Sequence, residues 1–99
     1  MMRAVGLSDL DLAARVVVSV PPDKQLSFVR QLLDDAHASD LWRKRHGTTH
    51  PSGGTGSLYA QAALYDATME EPVDRVYCTS LGVVLQGLEV WRDRNHKVP

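Results

Sequence analysis

His46 and His50 stand four residues apart on either side of Gly47, and Pro51, Gly54, Gly56 and Ser57 follow, with Asp40 a short way upstream. Three chemistries use residues of these types. An H-x3-H interval can hold a metal ion, and His37, Asp40, Cys78 and His96 are the side chains that would complete such a site. Structural metal sites need four ligands at diagnostic spacing, and this interval straddles Gly47, where a helix should stop, so the imidazoles need not share a face. No metal ligand is assigned. Ser57, His50 and Asp40 would serve as nucleophile, base and orienting acid, but the chain has neither a strained nucleophile turn nor an oxyanion-hole pattern, so no catalytic residue is assigned either.

The glycines before Ser57 suggest a phosphate cradle, since backbone N–H groups at a helix start favour anions. A P-loop requires Gly-x-x-x-x-Gly-Lys-Ser/Thr after a strand. Here no lysine follows Gly56 and no strand is expected before Gly47, so no nucleotide or other cofactor is expected. Gly47, Gly54 and Gly56 read instead as points where the backbone takes positive φ.

Charge is more informative. Arg43, Lys44, Arg45, Arg92, Arg94 and Lys97 make up 6 of the 11 Lys and Arg residues. All fall at or just beyond expected helix C-termini, where cations complement the negative end of the macrodipole. They would also form an electropositive pole for an acidic protein surface or a phosphate group, with His46 and His96 adding charge near or below pH 6.5. Replacing Arg43, Lys44 and Arg45 with glutamine should then remove binding and leave stability nearly unchanged. The six aromatic residues do not interleave with basic ones in the way that stacks single-stranded bases. Trp42 and Trp91 are expected to close the ends of the core, and Cys78 to lie inert within it.

Four helices must position these groups. The first is expected over Asp9 to Ser19, started by a capping box of Ser8 and Asp11 and ended by Pro21 and Pro22. Its run Val16-Val17-Val18 would suit a strand, but Leu10, Ala13, Ala14 and Val17 form a helical stripe. The second runs from Asp23 to Arg45, with Leu26, Val29, Leu33 and Ala36 on its apolar face and Gly47 as its stop. Asp40 falls on the continuation of that face. It should therefore be partly buried and hydrogen-bonded to the loop from Gly47 to Ser57 or to His50.

The third helix, Ser57 to Thr68, is capped by Thr55 or Ser57 and carries Leu58, Ala62 and Tyr65 on one side. The fourth follows Pro72, with Val73, Val76, Tyr77, Leu81, Val84, Leu85, Leu88 and Trp91 at helical spacing. Gly82 and Gly87 inside it either admit another helix or are tolerated defects. Residues 95–99 are expected to form a frayed tail. The shared core should hold Val16, Val17, Leu33, Ala36, Leu81, Val84, Leu85 and Leu88. In an up-down-up-down arrangement the second and fourth helices end together, so Arg43, Lys44, Arg45, Arg92 and Arg94 would converge.

At 99 residues the chain has room for one domain, 1–99, and its 43% hydrophobic and 23% charged residues are those of a globular protein. A net charge of −1 argues against general nucleic-acid binding. A lone cysteine, an N-terminus without a signal-peptide core and no apolar run long enough to span a bilayer place the protein in the cytoplasm and off the membrane.

Arg45, Gly47, His50-Pro51, Gly54 and Gly56-Ser57-Leu58, with Ala13-Ala14-Arg15-Val16 and Tyr77-Cys78-x-x-Leu81-x-x-Val84-Leu85, resemble a family of small helical proteins of unknown function from Rhodobacter-like alphaproteobacteria. Its members carry a pattern like G-x-x-H-P-x-x-G-D-G-S-L between helices. Thr55 stands here in place of the Asp, and threonine is a somewhat weaker cap. The resemblance implies no activity.

The sequence thus reads as an all-α bundle of about four helices with a glycine-rich loop between the second and third. Its expected role is a non-enzymatic interaction or adaptor module for an unidentified protein partner, through the basic pole, which would suit an acidic one, and the loop residues Gly47, His50, Pro51, Gly54, Gly56 and Ser57, with Asp40 as their structural support. Binding of anions or nucleic acid by the basic helix ends is the alternative, and a small metal-dependent or hydrolytic enzyme the third reading.

Overall fold

Gly6 sets the start of the first helix, α1 (Leu7–Val17), in the computed structural model, which describes residues 4–51, 53–67 and 75–95. The Gly6 N–H donates to Asp9 Oδ2 at 2.8 Å, so a carboxylate in the first turn reaches back to the residue before the helix. That contact replaces the expected pairing of Ser8 with Asp11. Ser8 lies within the first turn, and Asp11 turns instead toward Arg15 and Tyr77. At the other end the helix tightens, with Ser19 N–H on Val16 O and Val20 N–H on Val17 O, and so closes at Val17 rather than Ser19. Pro21 cannot extend it. The valines stay helical because Ala13, Ala14, Val16 and Val17 are all buried on one face.

Pro22–Lys24 forms a 3-10 turn leading into α2 (Gln25–His46). Buried Gln25 ties the two helices together, its Nε2 donating to Val17 O at 3.2 Å and Val20 O at 3.1 Å. These are carbonyls at the end of α1, of which Val17 O also accepts from Val20 N–H. Val29, Leu32, Leu33 and Ala36 are buried, while Leu26 is exposed. The helix stops where Gly47 takes φ +70° and donates to Arg43 O at 2.8 Å.

Ser57 caps α3 (Leu58–Ala62), accepting from Ala60 N–H at 3.0 Å, which settles the choice between Ser57 and Thr55. This helix is much shorter than expected. Leu64 N–H bonds to Gln61 O and Tyr65 N–H to Ala62 O, a tighter winding that swings Tyr65 away from Leu58 and Ala62 and edge-on to Phe28. Thr68 and Val73 lie outside the described residues.

In α4 (Arg75–Asn95) the buried positions are Tyr77, Ser80, Val84, Gly87 and Trp91, a stripe at i, i+3, i+7, i+10 and i+14. The expected leucine ridge sits beside that stripe. Leu81 and Leu88 pack at its margin, and Leu85 is 47% exposed, so Leu85 is not a core residue. Gly87 is the physical reason: α2 docks against it through Val29, and this turns the leucines outward. Cys78 is likewise exposed rather than part of the core.

Among the described residues there are four α-helices and no strand, packed around one cluster that runs from Ala13 to Trp91. Along the α2–α4 contact Gly87 meets Val29, and Trp91 meets Asp34 and His37, so the two helices run in the same sense. Trp91 is buried and donates from Nε1 to Asp34 Oδ1 at 2.9 Å, closing the core as expected.

Candidate site: a groove on α2 beside the glycine loop

Asp40 is the polar residue on which this region is built, only 1% exposed, near the C-terminal end of α2. Burial pushes its carboxyl up, but Lys44 Nζ at 2.9 Å and Arg43 Nη2 at 3.0 Å hold it below the ordinary value of 3.8. The hydrogen bond expected from the loop is thus replaced by an ion pair within the helix. The loop instead meets Asp40 by packing. Gly56, at φ +105°, lies so close that a Cβ there would come within 2.8 Å of the Asp40 Cα, Cβ and Oδ1 atoms.

Gly54 is seated one residue away, against Ser39 and Gln61, both buried. Ser39 Oγ approaches Gln61 Oε1 at 3.4 Å. His50 opens the turn that delivers these glycines: its N–H bonds to Gly54 O, and its carbonyl accepts from Gly53 N–H. Pro51 follows it in the turn and is exposed. Ser57 closes the loop as the α3 cap, and Asp9 adds a second bond, accepting from Tyr59 N–H at 2.8 Å. Asp9 was not visible as a partner of this loop in the sequence, because it lies fifty residues upstream.

The two histidines come together on Trp42. Its ring centroid lies 4.0 Å from that of His46 and 5.3 Å from that of His50. The spacing Trp42-x3-His46-x3-His50 carried this signal, with the first pair stacking one helical turn apart and the second brought in by the loop. Trp42 is therefore a shelf for the imidazoles, not a plug for the core. Among the described residues no three His, Cys, Asp or Glu side chains are grouped to hold a metal ion.

On either side of His50 the surface is concave. One compartment, about 320 Å³, is lined by Ala38, Leu41, Trp42, Arg45, His46 and His50. The other, about 430 Å³, is lined by Asp35, Ala38, Ser39, His50, Gln61, Leu64 and Tyr65. Ala38 and His50 belong to both, so the two form one groove over the face of α2 that carries Asp35, Ala38, Trp42 and Arg45 at i, i+3, i+7 and i+10.

Because α2 and α4 run in the same sense, the two sets of cations of the expected pole lie toward the same end of that helix pair. Arg43 and Lys44 close on Asp40, whereas Arg94 closes on Asp34 at 2.8 Å. Those anchoring carboxylates are six residues apart, about 9 Å along the helix. Arg45 and Arg92 are exposed and make no ion pair among the described residues. His96 lies outside the described residues. The set of Ser57, His50 and Asp40 is not assembled as a catalytic unit either, since Ser57 caps α3, His50 packs on Trp42 and Asp40 is bound by two cations.

The family model described as Domain of unknown function (DUF7742) matches residues 3–88. The chain belongs to this family. No curated protein and no solved structure matches the chain. The DUF7742 match takes in the loop and Arg43 to Arg45 but stops before Arg92 and Arg94. Among the described residues no helix is long and apolar enough to cross a membrane.

Proposed function

We propose that this DUF7742 protein is a non-enzymatic interaction module which engages an acidic surface of a protein partner through the C-terminal end of α2, in the cytoplasm of a Rhodobacter-like alphaproteobacterium. The observation that carries the reading is the contrast at that end of the helix. The groups of the loop able to do chemistry are tied into structural contacts, while Arg45 lies beside the open groove at Trp42 with no ion pair among the described residues. A guanidinium there meets a carboxylate in a forked geometry, and its field speeds encounter with an acidic patch.

The geometry also changes how the reading is tested. Replacing Arg43, Lys44 and Arg45 together would leave Asp40 buried without its cations, and the variant would lose stability along with any binding. Arg45→Glu alone avoids this. Capture of partners from native cell extract should fall about tenfold with Arg45→Glu, and should weaken for the wild type as salt rises. Equal capture by the two proteins would sink the reading. Salt-dependent retention on heparin or DNA, lost in the same variant, would move the assignment to an anion- or nucleic-acid-binding module.

A further inference from the structure

We infer that the α2 groove receives an extended segment of the partner protein, with a carboxylate side chain over Arg45, a basic side chain toward Asp35 and two apolar side chains seated on either side of His50. This rests on the interaction reading above and gives the partner a chemistry. Charge complementarity sets the polarity. Arg45 lines one compartment and Asp35 the other, so the groove is cationic at the loop end and anionic at the opposite end.

The length follows from helix geometry. Ten residues separate Asp35 from Arg45, about 15 Å along the axis, and the reach of the long side chains at both ends lengthens this to about 20 Å, which an extended chain covers in about six residue steps. The two compartments supply the apolar anchors. Leu41, 50% exposed, and the Trp42 shelf serve one side of His50, while half-exposed Leu64 and Tyr65 serve the other. An extended segment sends alternate side chains to the same side about 7 Å apart, so residues two positions apart straddle His50.

Buried Gln61 helps to fix the wall of the compartment on the Leu64 side, its Oε1 accepting from Ser39 Oγ at 3.4 Å and lying against the Gly54 backbone.

The test is selection of a display library of short random peptides against the full chain, followed by binding measurements on the enriched peptides. Selected sequences should share an acidic and a basic residue about six positions apart, with two apolar residues, two positions apart, between them on the same side. Ala38→Arg, at an exposed position that lines both compartments, should weaken binding more than tenfold with an unchanged melting temperature. Leu41→Glu should weaken it comparably by removing an exposed anchor, and supplies the result if Ala38→Arg does not fold. Arg45→Glu should weaken it about tenfold and, on reselection, favour a basic residue in place of the acidic one. Arg92→Glu should change nothing.

Peptides that bind Ala38→Arg and Leu41→Glu as tightly as the wild type would overturn the groove. So would selected sequences without the charge pattern, or no enrichment at all. If extract capture still depended on Arg45 in those cases, the interaction reading would stand and only the extended-segment assignment would fall.

Discussion

The loop from Gly47 to Ser57 and helix α4 both carry internal glycines, and the two regions use them differently. In the loop a Cβ at Gly54 would lie 2.5 Å from Ser39 Oγ and Gln61 Oε1, and one at Gly56 would strike Asp40 at 2.8 Å. Backbone therefore rests directly on α2, and the groove wall is fixed by that contact. In α4 the two glycines divide. Gly87 would press its Cβ within 2.5 Å of Val29 Cγ1, while Gly82 would meet nothing within 4 Å among the described residues. The loop is held rigidly where it borders the candidate site, and α4 is tight on its inner face and unconstrained on its outer one.

The sharpest way to break this comparison is Gly56→Ala. The residue sits at φ +105°, which L side chains rarely adopt, and its Cβ would collide with backbone that cannot rotate away. Strain and overpacking together should destabilise the protein by about 3 to 5 kcal/mol. That is a large part of the stability of a domain this size. Urea denaturation would measure it, and a loss below about 1 kcal/mol would show that the loop yields easily.

Asp40→Asn comes next, since it keeps the shape against Gly56 and removes the charge that Arg43 and Lys44 bind. Both cations can turn to solvent, so the loss should be about 1 to 3 kcal/mol at neutral pH rather than the full penalty of a stranded ion. The acid limb provides a second readout. Because the folded carboxyl titrates below the ordinary value of 3.8, its contribution is present above that value and lost as pH falls through the folded one. His37, pushed below 6.5 mainly by burial, acts in the same direction, because the unfolded chain takes up a proton first as pH drops. Wild type and Asp40→Asn should therefore converge in stability as pH falls below 3.8, and a gap that stays constant through the acid transition would remove Asp40 from the acid limb.

Gly87→Ala should cost about 1 to 2 kcal/mol, overpacking against Val29 being partly offset by the better helix propensity of alanine. Val29 is stiff at χ1, so it cannot turn aside. The double variant with Val29→Ala should be more stable than the sum of the two single losses predicts, because the clash vanishes. Additive losses would mean that Gly87 and Val29 do not share a contact.

What the sequence disclosed follows the same division. Helical periodicity and the stop at Gly47 were legible, because each depends on neighbours a few residues away. The face that α4 presents was not. Tyr77, Ser80, Val84, Gly87 and Trp91 include a serine and a glycine, and hydropathy favours the adjacent leucines, yet a glycine that admits Val29 decides the rotation. Asp40 was legible as a buried acid from its place on the apolar face, but its partners were sought in the loop when they lay one turn ahead. His46 and His50 drew attention through metal spacing, and Trp42, four residues before His46, explains them instead.

The smallest effects are expected on the outer face of α4, and they test it most directly. Gly82 lies in a helix interior with open space where its Cβ would be, so alanine there gains propensity without a clash. Gly82→Ala should raise stability by up to about 1 kcal/mol. Leu85, half exposed three residues on, has little burial to lose. Leu85→Ala should cost less than about 1 kcal/mol, well short of the roughly 2 to 5 kcal/mol that a core leucine commands. The pair of variants must agree. If Gly82→Ala destabilises the protein, or Leu85→Ala costs as much as a core truncation, then something covers this face in solution, and the loss should deepen with protein concentration if that cover is a second copy of the chain. Thermal melts of both variants at two concentrations separate these outcomes.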